Sequence, residues 1–199
     1  MNDDDNDKTL QSYEEHIQEY VDGTPQAVDG GTKAWIDRAL ALLPKHATVL
    51  ELGSAFGRDA AYIKSKGFKV IATDAVQGFV DLLRKSGFEA RLLNALTDDF
   101  GHDYDMLFAQ AVLLHFNPEQ VEQILQKAHS SLKPKGIIAF SVKQGNGSEW
   151  TKAKLDAPRY FHYWQREDLQ AVVQDAGFTI EEILEHKGNF EWLQVIARK

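Results

Sequence analysis

The sequence predicts a doubly wound α/β fold whose mostly parallel seven-stranded sheet ends in an antiparallel hairpin. Three observations carry this. A unit of buried β-like run, helical stretch and glycine recurs along the chain; its first run opens directly into a turn of small residues; and four residues separate the last two strand-like runs. Strands alternating with helices require a parallel sheet covered on both faces. The four residues His186-Lys187-Gly188-Asn189 cannot hold the crossover that parallel strands need, so the final pair is antiparallel.

The elements follow in order. Asp3, Asp4, Asp5 and Asp7 form a like-charged, polar start that is expected to be a solvated, disordered tail over 1–12, leaving a single domain over 13–199. From Thr32, the apolar residues Trp35, Ile36, Ala39, Leu40 and Leu43 recur at helical spacing and Pro44 stops the run, which marks a helix facing the core. "VLELGSAFGRDAAYI", Val49 to Ile63, then reads as strand, small-residue turn and helix. The glycines of Lys66-Gly67-Phe68, Ser86-Gly87-Phe88 and Ala176-Gly177-Phe178 close helices in the left-handed conformation. Each precedes a strand: Phe68 to Thr73, Glu89 to Leu93 and Phe178 to Glu185. Two further strands, Tyr104 to Ala109 and Ile137 to Val142, flank a helix opened by Asn117-Pro118, an N-cap followed by a preorganised first residue. Phe190 to Ala197 completes the hairpin. Residues 143–164 are longer than most loops of a compact domain and are expected to be a lid on the acceptor side.

Composition narrows the function. The 199 residues suit one domain, with 43% hydrophobic and 26% charged residues, the balance of a soluble globular protein. No apolar run approaches the roughly 18 residues needed to span a membrane, and the acidic start is unlike a targeting segment; a cytoplasmic protein without membrane contact is expected. With no cysteine, thiol catalysis, thiolate metal sites and disulfides are excluded. A formal net charge of −8 argues against nucleic acid as a partner, because such binding rests on neutralising phosphates. A small-molecule partner fits better, for a monomer or a homodimer.

In a doubly wound sheet, ligands lie outside the carboxyl ends of the strands where strand order reverses, which places the site at the first turn. Gly53, Ala55 and Gly57 allow close approach of backbone to ligand, and the helix from Arg58 offers free N–H groups. A turn that needs small residues only for packing would look the same. The next strand, "KVIATDA", ends in Asp74, about 20 residues after Gly53, the spacing of an acid that accepts from ribose hydroxyls. A dinucleotide fingerprint would require G-x-G-x-x-G, but Ala55 and Arg58 stand where two of its glycines belong.

Taken jointly, "ELGSAFGRDA", "TDA", "NALTDDF", "YDMLFAQAVLLHF", "LKPKGIIAFSVK" and "YFHYWQREDLQAVVQDAGF" cover the chain from about Thr32 onward. In content and order they resemble the class I S-adenosylmethionine-dependent methyltransferases. The resemblance implies transfer of a sulfonium methyl to a small-molecule acceptor, with S-adenosyl-L-methionine as cofactor and S-adenosyl-L-homocysteine as product. It implies that Glu51, Gly53, Ser54, Ala55 and Gly57 surround the methionine part, with Glu51 facing its ammonium and Arg58 its carboxylate. Asp74 would hold the ribose, Ala75, Asn94 and Ala95 the adenine, and Ala109 and Gln110 would pass beside the ammonium. Asn94 replaces the acid common there, and Ala55 a glycine. Tyr13 and Tyr20 resemble an N-terminal tyrosine that caps the cofactor carboxylate, Tyr20 being the better placed of the two.

Methyl transfer is an in-line displacement served mainly by alignment and exclusion of water, and a base helps only a protonated acceptor. His115 and His162 are the candidate bases. Trp150, Tyr160, Phe161, Tyr163 and Trp164 would form an aromatic wall or a cation–π cage over the acceptor, or simply pin the segment to the sheet. Asp98, Asp99, His102, Asp103 and Asp105 have no metal-ligand spacing, so no metal is expected. Two other classes remain at this point: an NAD-dependent oxidoreductase of Rossmann fold and a noncatalytic methyltransferase-like binding domain.

Overall fold

The structure, a computed structural model, describes residues 3–187 and 190–199. The chain begins with α1 (Asp3–Glu15), α2 (Ile17–Asp22) and α3 (Gly30–Ala41). It then alternates through β1 (Thr48–Glu51), α4 (Arg58–Ser65), β2 (Lys69–Asp74), α5 (Gln77–Lys85), β3 (Ala90–Leu92), β4 (Tyr104–Ala109), α6 (Pro118–Ser131) and β5 (Leu132–Lys143). After β6 (Ser148–Thr151) and β7 (Arg159–His162) come α7 (Arg166–Asp175), β8 (Thr179–Lys187) and β9 (Glu191–Arg198).

Seven strands form one sheet in the order β3-β2-β1-β4-β5-β9-β8. The first five pair in parallel, while β9 runs antiparallel to both β5 and β8. This is the doubly wound, mostly parallel seven-stranded sheet with a closing antiparallel hairpin that the sequence predicts. Side-chain alternation sends Leu50, Leu107, Ile138 and Val195 to one face, against α6 and α7. It sends Val49, Met106, Ile137 and Ile196 to the other, against α3 and α4. Both faces are therefore buried, as continuous apolar runs in parallel strands require. On the second face the fully buried Trp35 ring lies 5.1 Å from that of Phe108.

The structure corrects the reading of the N-terminus. Residues 3–15, expected to lie largely in a disordered tail over 1–12, form α1, and Asn6, Thr9 and Ser12 are buried. These recur at three-residue intervals, so one helix face carries small polar groups whose bonds the domain satisfies. Ser12 Oγ donates to the Pro158 carbonyl at 2.6 Å, and the Tyr160 N–H donates to Thr9 Oγ1 at 3.2 Å. Hydrophobic periodicity, the usual signal of docking, is replaced here by hydrogen bonding. Within 143–164, expected to be one long loop, β6 and β7 form a separate two-stranded antiparallel sheet. Strand β5 starts at Leu132, earlier than the expected Ile137, because Leu132 pairs with Tyr104 across a register shift. The turn residues Gly188 and Asn189 lie outside the described residues.

Helix α6 shows local sequence deciding an element. Asn117 Oδ1 accepts from the Gln120 N–H at 2.9 Å, and Gln120 Oε1 accepts from the Asn117 N–H at 3.1 Å, with Pro118 first in the helix. The reciprocal pair satisfies two donors that would otherwise be orphaned at the helix start. Asn117→Ala removes the cap and is expected to cost about 1 kcal/mol of stability; urea unfolding of the two proteins, at equal slope, measures it.

Candidate functional site

The sheet changes winding direction between β1 and β4, and the cleft lies outside the carboxyl ends of these strands. The β1–α4 turn and the end of β2 are tied together there. The Ser54 N–H donates to the Thr73 carbonyl at 2.8 Å, and the Thr73 hydroxyl donates to the Glu51 carbonyl at 2.7 Å. The Ala55 N–H donates to Asp74 Oδ2 at 2.8 Å, and the Val76 N–H to Asp74 Oδ1 at 2.9 Å. Burial raises the Asp74 carboxyl to about 6 against these backbone donors. Each carboxylate oxygen keeps a second lone pair for a ligand.

Close packing explains the turn's residue types. A Cβ on Gly53 would sit 2.4 Å from Val112 Cγ2, and Gly53 has φ +65°. Gly57 has φ +89°, and a Cβ there would meet Leu83 at 2.9 Å. Ala55 and Ala111 are held at φ +48° and +57°, a left-handed conformation costly for any residue with a Cβ. Both line the cleft, so the strain sits where backbone meets ligand.

The cleft encloses about 690 Å³ of empty space, its open mouth included. Of the sequence-predicted residues, Tyr20, Gly53, Ala55, Asp74, Ala75, Asn94, Ala95, Gln110 and His115 line it. Asn94 Oδ1 accepts from its own loop, at the Leu96 N–H, and its amide donates to Asn6 Oδ1 at 2.9 Å. Glu51, Ser54, Gly57, Arg58 and Ala109 stand behind the lining. Arg58 is bidentate on Asp59 and donates to Gln110 Oε1 at 3.0 Å, so it reaches the cleft through that amide.

Glu51 is buried, and its Oε2 has no hydrogen-bond partner among the described residues. Desolvation, then the charge of Asp59, pushes its carboxyl up to about 8, opposed by Ser54 and Arg58. A carboxylate held this way gains from any cation that reaches it.

His115 and His162 part company. His115 Nδ1 lies 2.7 Å from the Tyr160 carbonyl, which only accepts, so Nδ1 carries the proton. Nε2 therefore presents its lone pair to the Tyr13 hydroxyl at 2.9 Å. Burial, against the Tyr160 hydrogen bond and with Arg159 and Lys143 nearby, pushes His115 down to about 3 and keeps it neutral. His162 is the correction: it is absent from the cleft lining, and its ring packs 4.9 Å from Trp164. Strand alternation on β7 turns Phe161 toward His115, at 4.8 Å, and His162 to the opposite face.

Several site residues escaped the sequence reading. Asn6, Thr9 and Leu10 of α1 roof the cleft, hidden by a segment too polar to look packed. Tyr13, which the sequence reading named but placed behind Tyr20, lines the cleft too, meets His115 and accepts from Arg159 Nη1 at 3.1 Å. The aromatic wall divides. Phe161 backs His115 and Trp164 joins the core, while Trp150 packs on Tyr160 under the Lys8 ammonium. The acidic loop serves its own turns, with Asp98 accepting from Asn94 N–H and Asp105 paired with Lys133. No group of three His, Cys, Asp or Glu is placed to hold a metal among the described residues, and no helix there is long and apolar enough to cross a membrane.

The model of a methyltransferase domain family matches residues 13–183. The chain belongs to that methyltransferase family. It is 26% identical over 161 residues to an uncharacterized methyltransferase of Synechocystis sp., covering 76% of each chain. A S-adenosylmethionine-dependent methyltransferase of Methanosarcina mazei shares the fold at TM-score 0.72 and 18% identity, over 80% of this chain and 95% of that one. The 1,6-didemethyltoxoflavin-N1-methyltransferase of Burkholderia thailandensis, solved with S-adenosylhomocysteine, shares it at TM-score 0.68 and 22% identity, over 96% and 87%.

The buried acids give this methyltransferase a defined pH response. Glu51 is raised from 4.5 to about 8, so the native state holds a proton that the unfolded state gives up, and stability falls as pH rises across that window. His115 is lowered from 6.5 to about 3, so stability falls in the other direction, as pH drops below 6.5. Between pH 6.5 and 8 the Glu51 effect stands apart from those of His115 and of Asp74, raised only to about 6. Urea unfolding of the ligand-free protein is expected to lose on the order of 1 kcal/mol over that interval, and Glu51→Gln to flatten it.

Proposed function

We propose that the cleft binds S-adenosylmethionine and that the enzyme transfers its sulfonium methyl to a small-molecule acceptor. The observation that carries this is the unpartnered, buried oxygen of Glu51 directly before a turn in which Gly53 leaves no room for a side chain. A dinucleotide would set its anionic pyrophosphate against this turn, whereas a methionine moiety brings an ammonium. In this reading Glu51 takes the ammonium, with Ala109 and Gln110 beside it. The backbone of Gly53, Ser54, Ala55 and Gly57, the start of α4 and Tyr20 receive the carboxylate, and Arg58 supports it through Gln110. Asp74 accepts from the ribose hydroxyls with its free lone pairs, and Ala75, Asn94 and Ala95 border the adenine.

When bound, S-adenosylmethionine supplies an electrophilic methyl on a positive sulfur. What the chain adds is placement, dryness and a proton acceptor. The α1 roof and the Tyr13, Tyr20 and Phe79 rings, 5.4 to 6.4 Å apart, keep water from the acceptor side. His115, neutral and accepting from the Tyr13 hydroxyl through Nε2, is the proposed base, reached through that hydroxyl, for an acceptor that must lose a proton.

Ligand-dependent unfolding tests this reading. At about 100 times its dissociation constant, S-adenosylhomocysteine or S-adenosylmethionine is expected to add roughly 2.7 kcal/mol, read by thermal or urea unfolding. Stabilisation by NAD with none from the sulfur nucleosides overturns it. Asp74→Ala is expected to weaken S-adenosylhomocysteine at least about tenfold, measured calorimetrically; unchanged affinity overturns the ribose assignment.

A further inference from the structure

Two cations stand behind the acceptor side of the cleft with no carboxylate to balance them. Arg159 on β7 and Lys143 at the end of β5 are each more than nine-tenths buried. Neither takes part in any ion pair among the described residues, in a chain of net charge −8. Arg159 donates to the Tyr13 hydroxyl and to the Ala153 carbonyl, while its Nε has no partner. Lys143 Nζ makes no hydrogen bond among the described residues and lies over the Phe161 ring at 4.2 Å and the Phe190 ring at 3.9 Å. The Arg159 guanidinium lies over the same Phe161 ring, at 5.2 Å. The acid that acts on Lys143, Glu149, is bound to the Tyr163 hydroxyl at 2.6 Å. A third cation, Lys154, covers the Tyr20 ring at 3.9 Å.

Burying unpaired cations side by side is costly, and aromatic faces offset only part of that cost. A structural arginine would be expected to face a carboxylate; these cations face tyrosine, phenylalanine and a neutral histidine. The Tyr13 hydroxyl and the His115 ring separate them from the cleft, so charge is concentrated next to the place where the acceptor must sit.

We propose that the methyl acceptor carries an oxyanion, a carboxylate or a phosphate, and that the charges of Arg159 and Lys143, acting through the Tyr13–His115 wall of the cleft, draw it to that side. The inference rests on the methyltransferase reading, since it assigns the acceptor of that same cleft. Arg159 donates to the Tyr13 hydroxyl, which lines the cleft, and Lys143 adds a second positive charge behind Phe161. The anion orients the acceptor, leaving its nucleophilic atom toward the cofactor side, where His115 is the available base.

Calorimetry on the full chain separates the two ideas. S-adenosylhomocysteine is titrated into the wild type, Arg159→Gln and Lys143→Gln, which scores both the cofactor reading and the fold of each variant. Inorganic phosphate and acetate are then titrated into the S-adenosylhomocysteine-saturated proteins in chloride buffer. At least one anion is expected to bind the wild type; Arg159→Gln weakens it about tenfold or more and Lys143→Gln about threefold or more, with S-adenosylhomocysteine affinity held within about twofold. Phosphate binding alone identifies a phosphorylated acceptor, and acetate binding alone a carboxylic acid. The proposal is overturned if neither anion binds up to about 20 mM, or if both variants bind anions as the wild type does. Should S-adenosylhomocysteine fail to bind the wild type, the cofactor reading falls and the same anion titration on the free protein decides this one. Should Arg159→Gln not fold, Lys143→Gln and Arg159→Lys carry the decision.

Discussion

Between β1 and β4 successive connections leave the sheet on opposite sides, so the backbone just beyond these two strands has no neighbouring strand with which to pair. Buried N–H and C=O groups must still be satisfied, and side chains close the gap. Ser54 and Thr73 exchange bonds across it, Asp74 takes the Ala55 and Val76 N–H groups, and the Ser141 hydroxyl takes the Ala111 N–H at 2.9 Å. The crevice that results is walled by rigid, fully bonded backbone. The left-handed alanines at 55 and 111 belong to the same arrangement, since each turns the chain sharply away from a strand end. Rigidity here serves alignment, which is what a displacement at carbon needs from a protein.

Charge is distributed along this crevice with a sign change. Acids collect at the β1–β2 side, where Glu51, Asp59 and Asp74 act on one another and the first and last are raised by burial. Cations collect at the β5–β7 side, where Arg159 lowers both Lys143 and Lys154, the latter to about 8, after desolvation. Neither group neutralises the other across the cleft, and each carries an unpartnered buried atom, Glu51 Oε2 and Arg159 Nε. In the absence of ligand the buried cations are penalised as isolated charge, while Glu51 escapes that penalty by holding a proton. A ligand group of opposite charge would relieve either arrangement, which would link binding to folding through the same few residues. Between the two regions His115 is held neutral by burial and by its bond to the Tyr160 carbonyl.

The sheet was legible in the sequence because its order follows from local signals: apolar runs, helix-closing glycines, the Asn117 cap and a terminal linker too short for a crossover. The cleft's floor was legible for a related reason. Gly53, Ala55 and Asp74 lie in contiguous turns whose spacing is fixed by the strand–turn–helix unit itself. The roof was not, because α1 docks by the hydrogen bonds of Asn6, Thr9 and Ser12, and a pattern search weighted toward apolar residues counts those positions as solvent-facing. His162 illustrates a second limit: it sits beside Phe161 in the sequence, yet the alternation of a strand that only the fold reveals turns it away. Arg159 and Lys143 illustrate a third. In one dimension each is an ordinary basic residue near several aromatics, and nothing local distinguishes them from the exposed cations Arg84 and Lys85 of α5. What sets them apart is burial without an ion pair among the described residues, a property of every neighbour at once. Such an arrangement exists only once the end of β5 and strand β7 meet around the Phe161 ring, so no single stretch of sequence carries it.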